Sequence, residues 1–90
     1  MSFYLKDPSS RVDYAVDWSG YLNGQVVAES GWTIAPGSGL QVDEASFGLQ
    51  RAAATLVGGV VGQVYTVTNR VTLSDGRTDA RSITIRVEGR

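Results

Sequence analysis

The only side chains in this sequence that could work as acid–base pairs are carboxylates, and their spacing argues against it. Asp13 and Asp17 share one face of an extended stretch, with Ala15 between them. Four strand residues separate their carboxyl groups by roughly 13 Å, at a rise of ~3.3 Å per residue. Paired glycosidase carboxylates stand only roughly 5 to 9.5 Å apart, so these two read as a solvated face. Asp43-Glu44 and Asp75-x-x-x-Asp79 carry oxygen ligands for calcium, yet neither follows the Asp-x-Asp/Asn-x-Asp/Asn-Gly loop spacing. Turn chemistry alone explains Asp75-Gly76. Hydroxyl nucleophiles need an adjacent base, and the chain has no histidine to supply one. It has no cysteine either, which removes disulfides and thiolate metal sites. Lys6 is the sole lysine and lies near a start expected to be flexible. The sequence therefore predicts no enzyme, no catalytic residue, no cofactor and no metal.

Residues suited to binding are more numerous. Trp18 and Trp32 have rings that stack on sugars or on a partner, but both fall in register with aliphatic neighbours, which predicts core burial. Tyr21 sits in a loop beside Leu22 and is a candidate for exposed contact. Asn69 shares a strand face with Tyr65, Val67 and Val71, which makes it either buried and hydrogen-bonded or marginal to the sheet. The glycine-rich Gly58-Gly59-Val60-Val61-Gly62 is no phosphate loop, because no Gly-Lys-Ser/Thr follows.

Charge excludes some partners. The net charge of −1 gives no footprint for nucleic acid. Its distribution is uneven: residues 1–50 carry a net of −4 and residues 51–90 a net of +3. Seven of the eight basic residues are arginine, whose planar fork suits protein interfaces. The pattern reads as a solvated strand face or as a docking polarity between repeated copies. No stretch approaches the ~20 apolar residues of a membrane span. The start, MSFYLKDPSS, lacks the basic and apolar regions of a secretory leader.

The elements that must position these residues are short strands. Ninety residues predict a single domain over 1–90 with one small core. Helix signals are nearly absent; only Asp43 to Val57 could hold a helix, and its Arg51–Val57 end alternates as well as it coils. Phe3–Leu5 reads as a first strand ended by Asp7-Pro8. Val12, Tyr14, Val16 and Trp18 alternate with polar or small residues as a second. A third covers Val26 to Ile34, with a bulge expected at Ser30-Gly31. Leu40–Val42 reads as an edge piece broken at Asp43-Glu44, Phe47 and Leu49 as a weak strand, and Ala52–Val57 as another. Val64–Leu73 and Ser82–Val87 form a hairpin through the Asp75-Gly76 turn. About seven antiparallel strands predict an all-β sandwich. In Gly62-x-x-Tyr65-x-Val67 a tyrosine opens the penultimate strand, the placement of a tyrosine corner, whose hydroxyl ties back to upstream backbone.

The runs DYAVDWSGYL, VVAESGWTI and GQVYTVTNRVTLSDGRTDARSITIRV resemble a family of small tailed-bacteriophage virion proteins, the phage fiber–tail adaptor proteins. The similarity covers roughly residues 4 to 88. It is most specific at Asp17-Trp18, at Trp32-Thr33, along Tyr65 to Arg70, and in Gly76-Arg77-Thr78-Asp79 with Arg81-Ser82. The resemblance implies an immunoglobulin-like or fibronectin type III-like sandwich that serves as a structural part of a phage or prophage particle. Its implied partners are other virion proteins (tail, head–tail connector or major capsid protein), bound in multiple copies after assembly in the host cytoplasm. Two alternatives are a capsid decoration protein, distinguished by copy number, and a carbohydrate-binding module, which requires an exposed tryptophan platform. The resemblance carries over no catalytic residue.

Overall fold

Alternating apolar side chains, with turns at nearly every break, fold this chain into two facing sheets. The computed structural model describes residues 2–89, with side chains from residue 4 onward. Arg90, counted in the basic half, lies outside the described residues. Seven strands follow in order: β1 (Ser2–Lys6), β2 (Val12–Asp17), β3 (Val27–Ala35), β4 (Leu40–Phe47), β5 (Arg51–Gly58), β6 (Val64–Leu73) and β7 (Thr78–Val87). They form a four-stranded sheet, β1-β7-β6-β3, and a three-stranded sheet, β2-β5-β4. The result is an all-β sandwich, elongated to 44 × 21 × 19 Å.

Strand β6 shows the inward pattern most fully. Tyr65, Val67, Asn69, Val71 and Leu73 of β6 are buried, while Val64, Thr66 and Arg70 face solvent. The buried side chains gather in two clusters. Leu40, Ala54, Leu56, Tyr65, Val67, Ile85 and Val87 pack near the glycine-rich 58–63 segment. Val16, Trp18, Leu22, Val27, Val71 and Leu73 pack toward the β6–β7 hairpin, and Trp32 touches both clusters.

Four expectations are corrected. The sandwich is not wholly antiparallel, because β1 runs parallel to β7, from Ser2 beside Ile83 to Lys6 beside Val87. Asp43-Glu44 does not break the fourth strand. A bulge between Val42 and Glu44 absorbs the extra residue and β4 continues to Phe47, leaving Leu49 in the turn that follows. The β3 bulge lies between Val27 and Glu29, whereas Ser30 and Gly31 stay in register because both hold Asn69. Finally, the last strand begins at Thr78, four residues earlier than expected. Leu73 accepts from Gly76 N–H and donates to Arg77 C=O, and Gly76 takes φ +91°, so the hairpin closes tightly enough for pairing to start at once.

Candidate docking surfaces

The glycine-rich end is organised by two side chains that reach backbone. Tyr65 opens β6 with its ring fully buried. Its hydroxyl accepts from Val60 N–H at 3.1 Å and donates to Ser38 C=O at 3.0 Å. The tie to upstream backbone expected of Tyr65 is therefore present, and it joins two connections rather than one. Close packing enforces glycine here. A Cβ on Gly39 would stand 2.6 Å from the Tyr65 oxygen, on a backbone with φ +99°.

Lys6 is the second organiser, and its burial overturns the expectation of a flexible start. It is only 3% exposed, and its ammonium donates to Gly58 C=O at 2.7 Å and to Asp7 C=O at 2.9 Å. Desolvation lowers its pKa from the usual lysine value, and the Asp7 charge opposes that shift. Leu5, the more apolar neighbour, points outward at 51% exposure. The inward position goes to the residue able to donate to carbonyls at the end of β5.

The hairpin end is organised by side chains that meet each other. Trp18 is 2% exposed, and its indole N–H donates to Asn69 Oδ1 at 2.8 Å. The Asn69 amide donates to Ser30 Oγ and to Gly31 C=O. Asn69 is thus buried and satisfied. It links the three-residue 3₁₀ turn after β2 to β3 and β6. Tyr21, in that turn, is exposed, as expected. Arg81 donates to its hydroxyl and lies 4.6 Å from its ring centroid and 5.8 Å from that of Trp18. No local pattern joins residues 21 and 81, which lie on different elements. Beside them, β2 and β7 leave a groove lined by Tyr4, Ala15, Val16, Asp17, Arg81, Ser82 and Ile83. The Tyr4 and Tyr14 rings meet edge to face at one side of the groove.

The carboxylates are engaged by local partners. Asp13 accepts from Thr55 Oγ at 2.6 Å, and Asp17 accepts from Ser19 N–H at 2.9 Å. Asp43 and Glu44 pair with Arg11 at 2.5 and 3.7 Å. Asp75 accepts from both the backbone and the guanidinium of Arg77. The Ser19 backbone bond holds Asp17 below the usual carboxylate range, and the Arg77 backbone bond does the same for Asp75. Among the described residues no group of three or more His, Cys, Asp or Glu could hold a metal ion. Trp18 lies in the core, whereas Trp32 is half-buried between the two clusters; its ring nitrogen is enclosed, with no partner among the described residues. Neither ring forms an open stacking platform. Among the described residues no helix is long and apolar enough to cross a membrane.

Comparison with known proteins supplies the context for these surfaces. A family model described as "Podophage GP4 fiber-tail adaptor protein gp77" matches residues 6–86. A search of curated proteins returned no match.

Proposed function

The chain belongs to the podophage fiber–tail adaptor family, making it a structural component of a phage tail; from that premise we propose that it joins fiber to tail by passive protein–protein docking, without catalysing a reaction. The family match carries this reading. The shape supports it, since a body 44 Å long presents a different surface at each end. The glycine-rich end exposes Leu5, Val60, Val61 and Val64, and the hairpin end exposes Tyr21, Phe47 and Leu49. Apolar and aromatic groups of this kind anchor interfaces when a partner covers them.

We also read the sandwich as immunoglobulin-like. Strands β2, β4 and β5 share one sheet, opposite β3, β6 and β7, which is the partition of the constant-type immunoglobulin fold, and Tyr65 makes the corner bond. In this reading the first strand has moved to the opposite sheet. The chain is made in the host cytoplasm, works in several copies set by the tail's symmetry, and leaves with the particle.

Quantitative mass spectrometry of purified virions tests the proposal. The expected result is a stoichiometry like that of the tail proteins, far below the major capsid protein. Abundance equal to the capsid protein would favour decoration of the head, and absence from purified particles would end both readings.

A further inference from the structure

β7 has ten residues and β1 only five, and the mismatch leaves half of one strand edge open. β1 pairs with Ile83 to Val87, so no strand among the described residues covers that side of Thr78–Ser82. The ladder shows which groups point there. Val87 N–H donates to Gln63 C=O, toward β6, whereas Glu88 N–H donates to Lys6 C=O, toward β1. Direction alternates residue by residue in such pairing. The N–H groups of Thr78, Ala80 and Ser82 therefore face the open edge. One is engaged locally: Ala80 N–H donates to Asp79 Oδ1 at 2.8 Å, a carboxylate folded over its own strand.

An unpaired strand edge is a template for another chain. We propose that this edge pairs with the same edge of a second copy, antiparallel about a two-fold axis through Ala80. The segment Thr78-Asp79-Ala80-Arg81-Ser82 complements its own reverse. With Ala80 opposite Ala80, Thr78 faces the second copy's Ser82, and Asp79 faces its Arg81. Hydroxyl pairs and opposite charges are the favourable cross-strand neighbours, and the two-fold makes each of them twice. All five residues are exposed. Both Ala80 N–H groups point outward, so that central pair exchanges two backbone bonds.

The neighbouring elements fix the register. The second copy's Thr78 lies opposite Ser82, one residue short of Ser2, which stands beside Ile83 and blocks further sliding. Asp79 changes partner, from its own Ala80 N–H in the free chain to the second copy's Arg81 in the pair. Arg81 keeps its stacking on Tyr21 and offers the remaining donors of its fork. This inference goes beyond the adaptor reading and depends only on the edge.

Sedimentation equilibrium of the full chain, from micromolar to millimolar, tests it with two charge variants. Asp79→Arg gives a chain with two guanidinium groups on the edge, and Arg81→Asp gives one with two carboxylates. Each alone is expected to self-associate at least ~10-fold more weakly than wild type, because opposite-charge pairs become like-charge contacts. Mixing the two restores pairing, since every facing pair is again opposite in sign. Ala80→Pro removes an outward N–H without touching the β6 ladder, and it is expected to abolish pairing. Circular dichroism melts confirm that each variant is folded. A monomeric wild type at millimolar concentration, variants that associate like wild type, or a mixture that stays monomeric would each overturn the proposal.

Discussion

The two ends of the sandwich secure their connections by different chemistry. At the glycine-rich end, Tyr65 and Lys6 bond to main-chain groups, and Gly39 takes a left-handed conformation beside the Tyr65 hydroxyl. At the hairpin end, Trp18, Asn69 and Ser30 bond through side chains, and Arg81 covers Tyr21. The first scheme fixes loop shape whatever the loop residues are, provided that glycine stands where backbone and hydroxyl meet. The second depends on the identity of every partner. The fold's tolerance to substitution should therefore differ between the ends, with Val60 and Val61 replaceable without loss of stability and Trp18 and Asn69 not.

The largest effect should come from Trp18→Ala. Removing a buried indole costs about 3–5 kcal/mol and strands Asn69 Oδ1 inside the core. Urea unfolding followed by far-ultraviolet circular dichroism checks this, and a loss below about 1 kcal/mol would show that the hairpin-end cluster carries little stability. Tyr65→Phe keeps the ring and deletes both backbone bonds, for an expected loss of about 1–3 kcal/mol. Amide exchange should then quicken at residues 36–39 and 58–63 while protection around Trp18 stays unchanged. Gly39→Ala should quicken the same amides, since the added methyl displaces the Tyr65 hydroxyl; spread of the effect to the hairpin end would erase the distinction between the two ends. Tyr21→Ala removes an exposed stack together with the hydrogen bond from Arg81, with an expected cost of about 0.5–1 kcal/mol in thermal unfolding.

The smallest effect is electrostatic. Asp17 and Asp75 have pKa values held below the unfolded carboxylate value, so the unfolded chain binds protons first as pH falls. Their contribution is complete above the usual carboxylate range and disappears as pH drops through the lowered values. Melting temperature should fall on that acid limb, and Asp75→Asn should make the limb shallower.

Much of this architecture was legible in the sequence, and what was not shares one cause. The alternation of β2 and the whole of β6 follow from period-two patterning, and the Asp75-Gly76 turn follows from local backbone preference. Sharing a face with Tyr65 and Val67 left Asn69 either buried or at the sheet margin, and its bonds to Trp18, Ser30 and Gly31 decide for burial. Lys6 misled, because a lone lysine near the start reads as part of a flexible segment, whereas the carbonyls of Gly58 and Asp7 reward a buried donor there. The Tyr21–Arg81 contact and the parallel docking of β1 join segments far apart in the chain, and neither partner carries a local mark of the other. Local patterning fixes strands; which strand edge meets which is decided by the assembled sheets. Membership of the fiber–tail adaptor family was legible through resemblance, in runs such as Tyr65 to Arg70, since no spacing of carboxylates marks a chemistry.

Electron microscopy of phage particles assembled without this chain tests the adaptor role most directly. Filled heads with tails that lack attached fibers are expected, with reattachment when the purified chain is added back. Fully fibered, infectious particles formed in its absence would contradict the adaptor role.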